Sequence, residues 1–172
     1  MAEIIKLIKT IPGISSPQFE KGLKCSKFWE ACIDLPKVQI TSKEKNTMHW
    51  NLVAHFILDP LGVAKVPVEV EHDLHHQEDM DFKGEGKKWR FWTTNSTAVE
   101  ESEGLLFFKE SGGDTKIMLQ VTKLHLKAGF LDVAGLGKSM VITRLKQELQ
   151  NMITKLIDKI KDGSIKRVLE KC

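Results

Sequence analysis

Hydrophobic and polar residues alternate with a period of two through the middle of the chain. Between residues 47 and 56 the apolar side chains of Met48, Trp50, Leu52, Ala54 and Phe56 alternate with those of Thr47, His49, Asn51 and His55, which are polar. This period places successive side chains on opposite faces of a strand, so one face of the segment is predicted to pack on a core. Further strand patterns occupy residues 3–10, 38–45, 66–79, 88–96, 103–110 and 115–126. Turn residues at 59–62, 81–88 and 112–114 separate them, which predicts an antiparallel meander of six or seven strands.

The period lengthens after the first predicted strand. Pro12 and Gly13 indicate a turn, Ser16 is suited to a helix N-cap, and Pro17 favours the first helical position. Apolar residues then recur at near-helical spacing, namely Phe19, Leu23, Phe28, Trp29 and Cys32. Gly22 and Ser26 are predicted to divide this stretch into two short helices, which end at Leu35-Pro36.

The clearest helical pattern lies near the C-terminus, between Ser139 and Lys161. Its apolar residues follow steps of three and four, and they are Val141, Leu145, Leu149, Met152, Ile153, Leu156 and Ile160. Asp162-Gly163 marks the end of the predicted helix. An apolar stripe of this length has to be covered, and the apolar face of the sheet is the surface available to cover it.

The composition is that of a globular protein. The chain has 172 residues, of which 41% are hydrophobic and 28% charged, and no apolar run approaches the length of a membrane span. The first residues show no export signal, and Cys25, Cys32 and Cys172 are too few for a disulfide framework. We therefore expect three free thiols and a cytoplasmic location.

Positive charge is concentrated in the C-terminal fifth of the chain. Residues 138–172 contain nine Lys or Arg against four Asp or Glu. We predict a single domain over residues 1–163 followed by a basic tail, 164–172, which is either a solvated surface or a transient contact for an anionic membrane. Aromatic and basic residues are not interleaved as in nucleic-acid-binding sheets, so no nucleic acid partner is expected.

The segment VEVEHDLHHQED, residues 68–79, holds three histidines. In a helix His72 and His76 would share a face at zinc-binding spacing, but the alternating valines before them predict a strand. In a strand these two residues lie roughly 13 Å apart, too far to share one metal ion, so no metal site is predicted. Their parity turns both inward, with His72 in an apolar setting that favours its neutral form and His76 at a wet rim.

Three segments together resemble a known fold family. They are SSPQFEKGLKCSKFWEACIDLP (15–36), EGLLFFKESGGDTKIMLQV (103–121) and the amphipathic helix from Ser139. They are similar to the START-like, or SRPBCC, helix-grip superfamily, and most similar to its polyketide cyclase/dehydrase and coenzyme Q-binding-protein branch. The resemblance implies an α+β fold in which a curved antiparallel sheet of six to seven strands wraps around a long C-terminal helix, with two short helices after the first strand.

The resemblance also implies a cavity between sheet and helix that binds a hydrophobic molecule such as a lipid, sterol, quinone or polyketide-like compound. A filled core is the alternative. The candidate ligand-binding residues are Phe28, Trp29, Trp50, Leu52, Phe56, Val70, His72, Leu74, Trp89, Phe91, Phe108, Met118, Phe130, Leu136, Met140 and Leu145. Beside Trp89 and Phe91 the same parity turns Thr93 or Asn95 inward, whereas the opposite register would turn Arg90 and Trp92 inward.

Binding without chemistry is the expected function, and no cofactor and no catalytic residue is assigned. A cyclase-like or hydrolase-like enzyme is the alternative, for which His49, His72 and Glu100 are the available acid–base groups. The chain has no Tyr, although the resemblance implies cavity phenol or arginine groups in cyclases. Residues 126–139, with Gly129, Gly135 and Gly137, are either an apolar entrance or the first turns of the helix.

Overall fold

The sheet has β1 at one edge and β2 at the other. The computed structural model describes residues 4–32, 37–44, 46–58, 66–130 and 137–172. The strands are β1 (Ile5–Ile11), β2 (Lys37–Lys43), β3 (Thr47–Leu58), β4 (Val66–Glu78), β5 (Lys87–Thr94), β6 (Val99–Ser111) and β7 (Asp114–Leu126). They form one antiparallel sheet in the order β1-β7-β6-β5-β4-β3-β2.

Four helices are described. They are α1 (Ser16–Leu23), α2 (Ser26–Cys32), α3 (Lys138–Lys161) and α4 (Ser164–Glu170). The predicted α+β helix-grip fold, with a curved seven-stranded antiparallel sheet, two short helices after β1 and a long C-terminal helix, is confirmed. The turn predicted at residues 59–62 lies outside the described residues.

Helix α1 begins with a capping box. The Ser15 side chain accepts a hydrogen bond from the Gln18 backbone N–H, and Gln18 Oε1 accepts one from the Ser15 N–H at 2.9 Å. The N-cap is therefore one residue earlier than the predicted Ser16, because only Ser15 has a glutamine three positions later. At the other end of α1, a Cβ on Gly22 would lie 2.7 Å from the Phe28 ring, so the absent side chain lets α1 and α2 pack closely.

The apolar interior consists of two clusters. The larger one joins β1, β5, β6 and β7 to all four helices, and its most buried aromatic residues are Trp89 and Phe108. The smaller one is formed by Met48, Trp50 and Leu52 on β3, with Val38, Ile40 and Leu74 packed against it. Trp29 of α2 contacts both clusters. The smaller cluster thus lines the inner face of the sheet on the β2–β4 side.

Helix α3 is covered unevenly along its length. In its second half Ile153 and Leu156 are buried, whereas in its first half Ile142 and Leu145 are only half-buried and Met140 is 44% exposed. Apart from α4, the elements that the α3 backbone contacts most extensively are α2 and β1. The second half therefore anchors the helix, and the first half presents apolar side chains that the protein does not fully cover.

The segment predicted as a basic tail is instead a folded part of the core. Gly163, with a φ of 79°, forms the turn between α3 and α4, and Ile165 and Leu169 of α4 are buried in the larger cluster. The prediction missed this helix because its three apolar residues, Ile165, Val168 and Leu169, lie within a short, basic segment. Lys166 and Arg167 remain exposed.

The expectation of three free thiols is wrong for two of them. Cys25, just before α2, is disulfide-bonded to Cys172, just after α4. Cys32 is free and buried, and burial raises the pKa of its thiol to about 12. Spacing along the chain showed no sign of the bond, because 147 positions separate its two cysteines.

Candidate functional site

The inner face of β3, β4 and β5 carries polar side chains among apolar ones. Trp50 lies opposite Leu74, Leu52 opposite His72, and Met48 opposite His76 across β3 and β4. On β5, Trp89 is buried and Arg90 is exposed. This determines the register that the sequence left open, with Phe91 and Thr93 inward and Trp92 outward.

Three of these inner side chains form a contiguous aromatic group, which we call the Trp–His cluster: Trp50, His76 and Trp89. The His76 ring lies edge-on to Trp89, with centroids 4.9 Å apart, and its centroid is 6.0 Å from that of Trp50. Trp50, Trp89 and His76 are 0%, 2% and 6% exposed. The cluster is therefore a dry part of the inner face, and the prediction that His76 lies at a wet rim is wrong.

The polar atoms of the Trp–His cluster have no hydrogen-bond partner among the described residues. Trp50 Nε1, His76 Nε2 and Trp89 Nε1 are all buried and unsatisfied, and so is His72 Nδ1 two residues before Leu74. Most buried polar groups in proteins are hydrogen-bonded, so four such atoms on one face are unusual. By contrast, the indole N–H of Trp29 donates to the Leu23 carbonyl at 2.9 Å.

Both inner histidines are held in the neutral form. The pKa of His76 is lowered to about 4, mostly by burial and to a smaller extent by the charges of Lys24 and His49. Burial also lowers the pKa of His72, against an opposing effect of Asp73. This agrees with the neutral His72 predicted from the strand parity. Each imidazole therefore offers one donor and one acceptor nitrogen to its surroundings.

Lys24 is the nearest described cation to the cluster, and no sequence pattern selected it. Its Nζ lies 5.2 Å from the centroid of Trp89 and 3.3 Å from Glu20 Oε1. Glu20 also pairs with Lys87, which in turn pairs with Glu78, so two carboxylates balance the two ammonium groups. Lys24 is the C-cap residue of α1, and its contact with Trp89 on β5 depends on how the helix packs against the sheet. Sequence patterns do not predict that packing.

The candidate residues of β3, β4 and β5 lie together on the inner face. Leu52 and Val70 are buried, Leu74 and Phe91 are half-buried, and the Phe91 ring occupies the space over Gly104 that a Cβ would fill. Leu145 of α3 is half-buried and packs against the larger cluster. Ile142 and Leu149 are half-buried in the same way, and the prediction omitted them although they continue the helical spacing of Leu145.

Other candidates lie elsewhere. Met118 pairs with Phe107 and Ile8 on the outer face, so it cannot line the predicted cavity. The prediction placed it inward because two consecutive apolar pairs on β6 concealed the register. Phe108 packs edge-on against Phe19, with centroids 5.2 Å apart, and Phe28 packs on the same Phe19 ring at 6.4 Å. Both belong to filled core.

The remaining candidates are partly or wholly undetermined. Phe130 is half-buried after β7, and Met140 is exposed at the start of α3. Leu136 lies outside the described residues, and of Phe56 only the backbone pairing with Val68 is described. The Gly135 part of the predicted entrance also lies outside them, whereas Gly137 is the N-cap of α3.

The candidate acid–base groups are not brought together. His72 is on the inner face, His49 lies against His75 on the outer face with ring centroids 4.3 Å apart, and Glu100 is exposed at the start of β6. In the described parts of the chain no group of three or more His, Cys, Asp or Glu side chains is arranged to hold a metal ion. Nor does any described helix combine the length and hydrophobicity needed to cross a membrane.

An open depression of about 480 Å³ lies at one end of the sheet, where β5, β6 and β7 meet. Its lining includes Trp92, Ser102, His125 and the carboxylates of Glu100, Glu101 and Glu103. Carboxylates are costly to desolvate, so this depression is a poor site for an apolar molecule.

Solved structures with the same fold extend over nearly the whole chain. A protein from Thermus thermophilus has a TM-score of 0.68 at 14% identity and covers 93% of this chain and 98% of its own. The Zhui aromatase/cyclase from Streptomyces sp. R1128 has a TM-score of 0.65 at 12% identity, with 91% and 92% covered. A START superfamily protein from Mycobacterium smegmatis has a TM-score of 0.61 at 6% identity, with 92% and 97% covered.

No protein-family profile matches the chain, and no curated protein is similar to it in sequence. At 6 to 14% identity the structural similarity concerns the fold and not the activity. The matched order of strands and helices includes the sheet, the two short helices and the long C-terminal helix. The chain therefore has the START-like, or SRPBCC, helix-grip fold.

Proposed function

We propose that this protein binds a hydrophobic small molecule between the inner face of β3–β5 and the first half of α3, without chemistry. The main support is the incomplete cover of α3: Ile142, Leu145 and Leu149 face the interior but remain half-buried, while Ile153 and Leu156 are buried. Apolar groups left partly exposed on both sides of a gap gain free energy when an apolar molecule covers them.

The inner face of the sheet supports the same proposal. Leu74 and Phe91 are only half-buried there, so apolar surface remains on this side as well. The smaller cluster on β3 is joined to the larger one by the half-buried Trp29 and by His76, whose ring lies near both Trp50 and Trp89. Among proteins with this fold are an aromatase/cyclase and a START superfamily protein, which makes a lipid, sterol, quinone or polyketide-like compound the class to test first.

A cyclase-like enzyme acting in the same space is the second candidate. It is supported by the neutral imidazoles of His72 and His76 on the inner face, since a neutral imidazole can accept a proton. The placement of the three candidate groups favours binding alone, because His72 is on the inner face, His49 is on the outer face and Glu100 is exposed at the start of β6.

Native mass spectrometry of the purified protein, followed by organic extraction, tests the proposal directly. We expect a co-purifying apolar compound at close to one per chain, or an increase in Tm with members of an apolar ligand panel. An unliganded protein whose Tm is unchanged by every panel member would contradict the proposal and favour a filled core.

A matched pair of α3 variants locates the site. Leu145→Asp places a carboxylate on the half-buried inner side of α3, and Gln147→Asp places one on its exposed side. We expect the first variant to lose the compound and the second to retain it, with far-UV circular dichroism confirming that both are folded. Equal retention would place the ligand away from α3.

A further inference from the structure

We infer that the bound molecule carries an uncharged oxygen, such as a ketone or hydroxyl group, and that this oxygen binds the Trp–His cluster of Trp50, His76 and Trp89. The inference rests on the proposed function, because it specifies the chemistry of the ligand in that same space. It is carried by the three unsatisfied atoms of the cluster and by the arrangement of the rings that hold them.

The three atoms belong to side chains that are close to one another in the fold. His76 contacts Trp89 directly and approaches Trp50, and each of the three side chains is more than nine-tenths buried. A buried donor without a partner costs about 1–3 kcal/mol. A ligand oxygen that accepts a hydrogen bond from one of these N–H groups removes that cost for the group it reaches.

The other described tryptophans show that the unsatisfied state is specific to this part of the sheet. The Trp29 N–H is bonded to the Leu23 carbonyl, and Trp92 stacks on His75 on the outer face, with ring centroids 5.2 Å apart. Only Trp50 and Trp89 combine full burial with a free N–H among the described residues.

The surroundings favour an uncharged oxygen over a carboxylate. A buried anion needs a compensating cation, but Lys24 is already paired with Glu20, and both inner histidines are neutral. A ketone accepts hydrogen bonds only, and a hydroxyl group both accepts and donates. Neutral His76 suits either group, because its Nε2 acts as donor or acceptor according to the tautomer.

Neighbouring side chains cover all three atoms in this structure, so the oxygen reaches them by displacing a covering group. Trp29 is placed for this movement. It is half-buried, its ring centroid lies 5.6 Å from that of Trp50, and it joins the two apolar clusters. Its rotation away from Trp50 would break the hydrogen bond from Trp29 Nε1 to the Leu23 carbonyl and would uncover the Trp50 ring.

Two probes of almost equal size and shape test the inference: 2-acetylnaphthalene, which carries a ketone, and 2-ethylnaphthalene, which lacks it. Calorimetry measures both affinities for the whole chain, and ¹⁵N-resolved spectra of the indole groups report each Trp N–H. We expect the ketone to bind at least about tenfold more tightly and to move the Trp50 and Trp89 indole signals downfield.

Substitutions of single tryptophans identify which N–H groups cause the preference for the ketone. Trp50→Phe and Trp89→Phe keep an aromatic ring but remove the N–H, so each should reduce the preference for the ketone while binding of the hydrocarbon remains. Trp92→Phe, on the outer face, is the matched control and should leave the preference unchanged. If a variant is too unstable to purify, the indole spectra of the unmodified protein show directly whether the ketone contacts the N–H of Trp50 or Trp89.

The outcomes distinguish the two proposals. Equal affinity for both probes, with unmoved Trp50 and Trp89 signals, would overturn the polar contact and leave apolar binding intact. Binding of neither probe, together with an unliganded purified protein, would overturn both. A strong preference for the ketone that persists in both Trp→Phe variants would place the oxygen elsewhere and also overturn the inference.

Discussion

Cys25 and Cys172 are bonded to each other with a Cα separation of 5.7 Å, which ties the residue before α2 to the end of the chain just after α4. The bond holds α4 against the two N-terminal helices, where Lys21 Nζ also donates to the Leu169 carbonyl at 2.9 Å. Residues 169–172 are thus fixed at two points, Lys21 on α1 and Cys25 between α1 and α2.

Removing this bond should lower stability. We expect Cys172→Ser to reduce the free energy of unfolding by about 2–4 kcal/mol, because the bond restricts the unfolded chain. Chemical denaturation measures the loss, and under reducing conditions the variant and the unmodified protein should become nearly equal. Before reduction, the denatured protein should have one titratable thiol, Cys32. Three thiols would show that the bond is absent in solution.

The packing of α4 is tested by two adjacent substitutions. Ile165→Ala removes a side chain that is 1% exposed, whereas Lys166→Ala alters an exposed one. We expect a loss of about 2–4 kcal/mol for the first and less than about 0.5 kcal/mol for the second, measured by urea denaturation. Similar small effects would mean that residues 164–172 behave as the tail predicted from the sequence.

The free energy of unfolding should decrease as the pH is lowered through the range in which His76 titrates. Its pKa is about 4 when folded against an ordinary 6.5, so between these values the unfolded chain binds a proton that the folded chain does not. Stability is therefore full above pH 6.5 and decreases down to about pH 4, by on the order of 3 kcal/mol in total. His72 and His75, whose pKa values burial also lowers, act in the same direction.

His76→Leu isolates the contribution of this residue. The variant should show a weaker dependence on pH between 4 and 6.5 in urea denaturation, and its stability at neutral pH should change little, because the lost imidazole has an unsatisfied nitrogen. An unaltered pH slope would mean that His76 titrates normally and is therefore accessible to water.

Gly104 permits the position of Phe91. A Cβ at Gly104 would lie 2.0 Å from the Phe91 ring and 2.4 Å from the Gln120 carbonyl oxygen. We expect Gly104→Ala to destabilise by about 1–3 kcal/mol in thermal denaturation. Gly129→Ala, where nothing lies within 4 Å, is the control and should be nearly neutral. Equal effects would show that Phe91 packs elsewhere.

Contact with an anionic membrane remains a proposal, and the exposed basic residues of α4 allow a test. Lys166→Glu with Arg167→Glu should weaken binding to anionic liposomes at low salt in a flotation assay. Lys9→Glu with Lys83→Glu makes the same change in net charge at two exposed sites away from α4. Equal weakening by both pairs would indicate a general charge effect, and no binding by the unmodified protein would remove the idea.

The strand order and both helical regions follow from patterns that the sequence displays openly. Alternation over residues 47–56 predicted β3, and steps of three and four predicted α3, because burial on one face imposes those periods. Met118 was misplaced because β6 and β7 carry apolar residues on both faces, which removes the signal that sets the register.

Other features depend on contacts between distant segments. His76 is dry because Trp50 and Trp89 pack beside it from neighbouring strands, and the sequence of β4 alone indicates only its parity. The Cys25–Cys172 bond and the burial of Ile165 likewise require α4 to fold back onto α1 and α2. The local periodicity of apolar residues does not show that a C-terminal helix packs against N-terminal ones.

Because α3 is covered unevenly, it can tilt about its buried end. Ile153 and Leu156 fix that end in the core, and α4 with its disulfide holds the residues that follow. Lys138 is fifteen residues from Ile153, a distance of roughly 22 Å along the helix, so a tilt of about 5° moves that end by about 2 Å. Admitting a ligand would then require displacement of only the first half of α3, while the buried contacts of Ile153 and Leu156 stay in place.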